Sequence, residues 1–247
     1  MPSLELLAKG AVNLGYPLSE QQLNQFQLYY QTLIDWNQRI NLTAIVDFED
    51  VQIKHFLDSL TVATVLSDTS PGQRLLDVGT GAGFPGIPLK ILFPSLQVVL
   101  LESVTKKVKF LNHLISQLGL QGAEIINDRA ENLGHNASYR ELFEIVVSRA
   151  VAPLSTLYEL TLPFCKLNGI SIAQKKGDIE KEIESSKRAL KTLGGQLIEV
   201  RKVNLPEIGE RLLLVAKKVA PTPPAYPRRP GIPSKRPIIT NGWEVSC

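Results

Sequence analysis

The chain has 247 residues, 44% of them hydrophobic, and a net charge of +3 from 27 lysines and arginines against 24 aspartates and glutamates. That length suffices for one large domain, or one domain with an appendage, while so small a net charge decides nothing about a nucleic-acid partner. Two distant cysteines, Cys165 and Cys247, exclude a disulfide framework or a zinc cage and make a cytoplasmic, reducing setting the expectation.

The first residues, Met1 to Leu6, carry no basic stretch ahead of an apolar run, so no signal peptide is expected. No apolar run approaches the ~18–20 residues that cross a bilayer, so no membrane partner is expected either. Residues 3 to about 66 read as helices. Leu4, Leu7, Ala8 and Ala11 keep helical spacing until Gly15, Tyr16 and Pro17 break it. Ser19 and Gln22 have the spacing of a capping box, opening a helix with Leu23, Phe26, Tyr30, Leu33 and Ile34 on one face. The polar stretch from Trp36 to Thr43 ends that pattern. Asp47 is placed to cap a further helix, with Val51, Phe56, Leu57 and Leu60 on one side and Lys54, His55 and Asp58 on the other. Helices with one apolar face must bury it, so residues 1–66 are expected to form a helical cap over the sheet that follows.

From about residue 72 strands and helices alternate, the mark of a parallel sheet with crossovers. Strands are predicted at 74–78, 97–101, 124–127, 143–148, 169–174, 196–203 and 211–218, with helices near 86–93, 104–118, 153–163 and 178–193. The helix after the first strand is easier to start at Pro88 than at Pro85, because a later proline would remove an early helix bond. The last two strands have no helix between them and should pair antiparallel. Residues 67–219 therefore read as an α/β domain, a doubly wound, mainly parallel seven-stranded sheet ending in an antiparallel hairpin. Beyond Lys218, prolines interleave with Arg228, Arg229, Lys235 and Arg236. Residues 220–247 are thus predicted to be an extended basic tail, neither helix nor central strand, ordered on docking.

The run from Leu75 to Lys90 organises the rest. A β-leaning stretch ends at Asp77 and Val78, and three glycines follow at every second position, Gly79, Gly81 and Gly83. A strand that ends in glycines and turns into a helix brings bare backbone N–H groups against a ligand above the strand end. The dinucleotide fingerprint G-x-G-x-x-G would need its last glycine where Phe84 stands. A second carboxylate, Glu102, closes the next apolar run at the distance that suits ribose hydroxyls. Because Asp77 near the loop would repel phosphates, a cationic ligand with an amino-acid tail and an adenosine fits better, and S-adenosylmethionine is such a ligand. The bland alternative is a tight strand–helix turn with no ligand.

Basic pairs recur at Lys106–Lys107, Lys175–Lys176, Arg201–Lys202, Lys217–Lys218, Arg228–Arg229 and Lys235–Arg236. Several follow predicted strand ends, so they are expected to ring the cofactor mouth and, with the tail, to favour a phosphodiester substrate; a solvated charged face is the alternative. Arg149 closes the most apolar strand, where an arginine is costly without a partner or ligand. Asp128, Ala130 and Glu131 follow the third strand and would line the adenine side, or would merely cap a helix start. His55 and Asp58 read better as a surface helix pair than as a pocket pair, and Cys165 reads as core. Three histidines are too scattered for a metal. No general base announces itself, which suits a ring nitrogen such as guanine N7: its exposed lone pair attacks a sulfonium methyl without losing a proton.

The chain resembles the small-subunit ribosomal RNA guanine-N7 methyltransferase family, RsmG, also known as glucose-inhibited division protein B. The resemblance rests on the Trp36–Thr43 segment, His55 to Leu60, Asp77 to Leu89, Arg129 to Glu131, Ser148 to Ala150, and the tail from Tyr226 to Pro237. It implies a class I, Rossmann-like S-adenosylmethionine-dependent methyltransferase with an N-terminal helical cap, acting on a guanosine in the decoding-region loop of 16S rRNA. By that resemblance Gly79, Phe84, Ala130, Glu131 and Arg149 contact the cofactor, while Asn41, His55, Lys106 and Lys176 sit by the substrate. From the residues themselves, Gly81, Gly83 and Glu102 join the cofactor set. The partner implied is 16S rRNA, in the small subunit or an assembly intermediate, and a monomer without a metal is expected. Ile238 to Cys247 is an extension outside the family pattern. A small-molecule methyltransferase, a nicotinamide-dependent oxidoreductase and a non-enzymatic RNA-binding module are the rival readings.

Overall fold

The computed structural model describes residues 3–66, 70–149, 152–206 and 209–239. Ala150 and most of the C-terminal extension lie outside the described residues. Two helices open the chain, α1 (Glu5–Asn13) and α2 (Glu20–Asn37). As the spacing predicts, the Ser19 side chain and Gln22 form a reciprocal capping box at the start of α2. The core aromatic of α2 is Tyr29, however, which is fully buried, whereas Tyr30 is half-exposed. The helix is rotated by one position because Tyr29 donates its hydroxyl to the Ala82 carbonyl at 2.5 Å, beneath the glycine corner.

A helical stretch follows in four pieces: α3 (Phe48–Val51), a π-wound segment Gln52–Leu57, α4 (Asp58–Leu60) and a 3₁₀ turn Thr61–Val65. Asp47 caps it by accepting from the Asp50 amide. The predicted outer side of this stretch is only partly outside: Lys54 is exposed, but His55 and Asp58 are buried along with Phe56 and Leu57. A π-winding carries more residues per turn than an α-helix and re-aims side chains, and here it turns both polar residues toward the sheet edge.

Seven strands form one sheet in the order β3-β2-β1-β4-β5-β7-β6. They are β1 (Arg74–Val78), β2 (Gln97–Leu101), β3 (Ala123–Ile126), β4 (Phe143–Arg149), β5 (Cys165–Lys175), β6 (Gly195–Leu205) and β7 (Gly209–Lys218). The first five are parallel, and β7 pairs antiparallel with both β5 and β6. Leu75 to Val78 are all buried, as expected for a central parallel strand covered on both faces. β5 begins four residues before the predicted start, because Cys165 pairs with Phe143 across an irregularity.

The crossovers are α5 (Gly86–Leu92), α6 (Thr105–Leu118), α7 (Ala130–Leu133), α8 (Leu154–Thr161) and α9 (Glu180–Thr192). α5 starts ahead of Pro88, which falls within its first four residues, where backbone N–H groups have no intrahelical acceptor and a missing one costs no helix bond. α7 is not among the predicted helices, although the helix-start alternative for Asp128 and Glu131 allows for it. One face of the sheet packs against the N-terminal helices, α5 and α6 through Phe26, Tyr29, Phe56, Leu75, Leu100 and Phe110. The other packs against α7, α8 and α9 through Leu76, Val146, Leu157, Tyr158, Leu190 and Leu214. Each such burial contributes about 1.5–3 kcal/mol, so the N-terminal helices are built into the sheet's own core.

The proline-rich tail departs from expectation in one respect: Ile232–Lys235 forms a helical turn, α10, with Pro233 buried. Pro233 sits in the first turn, the position a helix tolerates.

Candidate active site

The strand order reverses between β1 and β4, and in open α/β sheets ligands bind outside the carboxyl ends of the strands at such a point. There the chain leaves β1 through Gly79, Gly81 and Gly83, with φ of +70°, +63° and +98°. All three lie in the left-handed region that favours glycine. The corner is held from below. Asp77 is fully buried, and its Oδ2 accepts from the Thr80 hydroxyl at 2.6 Å and the Gly86 amide at 2.8 Å. Burial pushes its pKa up to about 6, against those two hydrogen bonds. Its Oδ1 is buried without a partner. Asp77 was expected to repel phosphates from the loop. In the structure it is the loop's fastening, tying the corner to the start of α5.

On the β2–β3 side of the corner lies a cavity of about 210 Å³ lined by Gly79, Ser103, Asp128, Ala130, Glu131 and Ser234, among others. Asp128 and Glu131 are the carboxylates that border it, which suits a cationic ligand, while Glu102 stands just behind its lining. Glu102, at the end of β2, is 5% exposed, with Oε2 accepting from the Gly81 amide and Oε1 from the Val104 amide. Glu131 accepts from the Gly231 amide at 2.9 Å. The tail is therefore a wall of this cavity. Arg228 grips the fully buried Glu159 of α8 through its backbone N–H (2.8 Å), Nε (2.9 Å) and Nη2 (2.6 Å). That grip holds Arg228 above its ordinary pKa. Arg140 donates to the carbonyls of Thr222, Pro223 and Tyr226, and Thr156 donates to that of Pro233. The tail cations were expected around the catalytic mouth; Arg228 is instead a fastener.

On the β4–β5 side opens a cleft of about 530 Å³, lined by His55, Asp58, Arg149, Lys176, Glu182 and Arg211, among others. Arg149 ends β4 and is tied on every side. Its Nη1 donates to Asp58 Oδ2 (2.9 Å) and the Lys54 carbonyl (3.2 Å), its Nη2 faces His55 Nδ1 (3.3 Å), and its guanidinium lies 4.9 Å from the Phe84 ring centroid. Asp58 Oδ1 accepts from Arg211 Nε at 2.5 Å. One carboxylate thus holds two arginines. His55 Nε2 meets the Thr43 hydroxyl at 2.7 Å. Burial, followed by the Arg149 charge, pushes its pKa down to about 4, so the ring is neutral at pH 7, with Nδ1 accepting from Arg149 and Nε2 donating to Thr43. Both nitrogens are committed, leaving no imidazole base. The Phe84 ring stacks on Tyr29 and His55 and is 5% exposed.

The structure brings Phe84, His55 and Arg149 together, with Lys176 in the same cleft, and sets Gly79, Ala130 and Glu131 around the smaller cavity. Asn41 and Lys106 are exposed and border neither cavity. The Asn41–Thr43 turn is shaped by Asn37, whose Oδ1 accepts from the Leu42 and Thr43 amides. The basic pairs do not act as one ring. Antiparallel pairing carries Lys217 and Lys218 to the opposite edge, where Lys217 faces Ile170, and Lys218 is buried against Glu141. Arg201 is paired with Glu199, and Lys175 with Glu182. Arg211 and Glu182 escape a search for basic pairs and motifs. Arg211 had a signal, since it opens the predicted last strand, and the start of an antiparallel strand beside β5 must fall at the carboxyl edge. Among the described residues no group of three or more His, Cys, Asp or Glu could hold a metal, and no helix is long and apolar enough to cross a membrane.

Comparison with known proteins gives one answer. The model of the family described as "GidB: rRNA small subunit methyltransferase G" matches residues 22–212. The chain is 53% identical over 234 residues to the ribosomal RNA small subunit methyltransferase G of Dehalococcoides mccartyi, covering 94% of this chain and 99% of that protein. It is 47% identical to the protein of the same name from Desulforamulus reducens, covering 94% and 97%. Among solved structures, a mutant of MtNAS in complex with S-adenosylmethionine superposes with a TM-score of 0.53 at 17% identity, over 88% of this chain and 78% of that one. At that identity the likeness is one of fold.

Proposed function

The chain belongs to the rRNA small subunit methyltransferase G family, and from that premise we propose how its residues divide the work of methylating N7 of a guanosine in the decoding-region loop of 16S rRNA. It is an S-adenosylmethionine-dependent methyltransferase with a class I fold. The observation that carries the division is the pair of cavities flanking the strand-order reversal: a glycine-cornered one with carboxylates on the β2 side, a cationic one on the β4 side.

The smaller cavity fits the cofactor. A Cβ on Gly81 would meet nothing closer than the Gly79 carbonyl at 4.0 Å, so the corner has open space where a ligand can approach the backbone. Gly79, Gly81 and Gly83 would face the methionine portion, Glu102 the ribose hydroxyls, and Ala130 and Glu131 the adenine side. S-adenosylmethionine supplies a methyl group on a sulfonium, an electrophile that needs no activation by acid.

The cleft takes the base. Residues 1–66 act as a cap that supplies Lys54, His55 and Asp58 to it. Arg149 stands at the junction, fixed by Asp58, His55 and Phe84, and orders the space in which guanine and donor line up. Phe84 stands at the corner beside the cofactor and also shapes Arg149, whose guanidinium lies over its ring. N7 attacks the methyl carbon as the carbon–sulfur bond breaks; no proton leaves, and the product base carries the positive charge. Alignment and a dry, fixed field therefore carry the catalysis, in keeping with the committed nitrogens of His55. Lys176 and Lys106, exposed and with no side-chain hydrogen bond or ion pair among the described residues, supply phosphate contacts. The enzyme acts as a monomer and without a metal.

Purified protein, S-adenosylmethionine and small ribosomal subunits lacking the modification provide the test. Mass spectrometry of the digested 16S rRNA should find one new 7-methylguanosine. Cofactor binding without any transfer to rRNA would overturn the assignment and favour a small-molecule substrate.

A further inference from the structure

We propose that Glu182 is the residue that recognises the guanine base, its free carboxylate oxygen accepting a hydrogen bond from the 2-amino group. The inference rests on the reading of the cleft as the guanine site.

Glu182 is the third residue of α9 and borders the cleft. Its Oε1 is held twice, by the Leu154 amide at 2.6 Å and by Lys175 Nζ at 2.7 Å. Among the described residues its Oε2 has no partner, and the side chain is 26% exposed. The other carboxylate bordering the cleft, Asp58, has both oxygens bound to arginines. Of these two carboxylates, then, Glu182 alone offers an uncommitted oxygen, and it is pre-oriented by two anchors, as a specificity group has to be.

The placement follows from the sheet. Neighbouring strands lie about 4.8 Å apart. The glycine corner leaves β1, Arg149 ends the adjacent β4, and Lys175, which anchors Glu182, ends the next strand, β5. A purine lying over the end of β4 with N7 toward β1 turns its opposite, Watson–Crick edge toward β5. On that edge guanine offers N–H donors at N1 and N2, whereas adenine offers an acceptor at N1. An acceptor-only carboxylate there admits guanine and rejects adenine, and its negative charge also opposes the positive charge the base acquires on methylation.

The test replaces the target guanosine by inosine, which keeps N7 and N1–H and lacks the 2-amino group, in otherwise identical 16S rRNA assembled into small subunits. A hydrogen bond to a charged group corresponds to roughly a tenfold to hundredfold effect, so the wild type should favour guanosine over inosine in kcat/KM by that factor. Glu182→Gln keeps an oxygen for the Leu154 amide and puts an amide N–H₂ where the free oxygen was. It should slow guanosine and leave inosine nearly unchanged, bringing the ratio to within about threefold of one. A merely structural role would slow both substrates alike and preserve the ratio. A wild type that methylates both equally, or a variant that keeps the full preference, overturns the proposal. If the variant does not fold, the wild-type ratio alone decides. A wild type that binds the cofactor and methylates neither RNA overturns the cleft assignment as well, whereas methylation of guanosine without discrimination overturns only the role of Glu182.

Discussion

Replacing Arg228 by alanine separates two tasks that a basic tail could have. Glu159 is 0% exposed and accepts hydrogen bonds from three nitrogens of Arg228, of which only the backbone one survives the substitution. Removing one partner of a buried ion pair costs about 3–5 kcal/mol, because a charge is left buried and uncompensated. Arg228 itself is 27% exposed, so water reaches part of the pair and the lower end applies, about 3 kcal/mol. The loss has a ceiling: once it exceeds the docking energy of the tail, the tail lifts and Glu159 becomes hydrated. A lifted tail takes Ser234 and the Gly231 amide away from the cofactor cavity, and a loosened one leaves them poorly placed. Urea denaturation should therefore show a loss of about 2–3 kcal/mol, and calorimetry an S-adenosylmethionine affinity weakened about tenfold, the equivalent of one lost hydrogen bond. Adding Glu159→Gln should recover about 1–2 kcal/mol by removing the stranded charge. An RNA-binding arm would behave in the opposite manner. If stability and cofactor affinity hold while rRNA affinity falls and its salt slope flattens by about one, Arg228 is not the tail's fastener.

Three further outcomes follow from the site. Asp58→Asn preserves shape and removes the charge shared by Arg149 and Arg211; the rate of methyl transfer should fall about a hundredfold, the usual cost of an ångström-scale misplacement, and an undiminished rate would release Asp58 from its positioning role. Gly83→Ala puts a Cβ 2.7 Å from both Ile87 and the Tyr29 hydroxyl at a φ of +98°; thermal melts should show a loss of at least about 1–3 kcal/mol, and an unchanged melt would mean that the corner is not rigid. His55, depressed from 6.5 to about 4, contributes stability that is full above pH 6.5 and is lost as pH falls through 4, because the unfolded chain binds the proton first. Asp77, raised from 3.8 to about 6, acts with the opposite sign: its contribution is full below pH 3.8 and is lost as pH rises through 6. An NMR titration placing the His55 inflection near 6.5 would refute the burial and Arg149 field that set it.

The sheet was legible because parallel strands covered on both faces read as apolar runs, and β1 and β2 have the predicted bounds. The antiparallel ending was legible from the missing helix between the last two strands. What escaped was local. Tyr29 and Tyr30 are adjacent aromatics on one helix, and the choice between them turns on a hydrogen bond to Ala82, 53 residues away in sequence. His55 and Asp58 looked like an exposed pair because 3.6-residue spacing was assumed where the chain is π-wound. Arg149 was found by asking what an arginine does at a buried strand end, and its partners, Asp58 and Phe84, come from two other segments. The tail was legible as an extended segment that orders on docking, but not where it docks: the buried acceptors that fix it, Glu159 and Glu131, lie about 70 and 100 residues away.

The commitments of these cations bear on how RNA is held. Arg149 spends both Nη atoms on Asp58, Lys54 and His55, and its guanidinium also lies against the Phe84 ring. It cannot also neutralise a phosphate without breaking contacts that define the site. Arg211 is tied to the same carboxylate, Lys175 to Glu182, and Lys54 to Asp50. Their net field still draws an anion toward the cleft, but their hydrogen bonds face inward. Affinity for the phosphate backbone then falls to exposed lysines whose side chains have no partner among the described residues, Lys176 at the cleft and Lys106 at the start of α6, with the half-buried Lys107 beside it. Contacts of that kind release counterions and are weakened by salt, each contributing about 0.7–0.9 to the slope of log affinity against log salt. The half-buried, paired arginines are screened less by salt and set geometry over a wide range of ionic strength. Binding and alignment thus reside on different residues, so raising the salt should weaken KM for rRNA while leaving kcat at saturating rRNA nearly constant. A kcat that falls in parallel with affinity would show that the arginines leave their carboxylates to bind phosphate during the reaction.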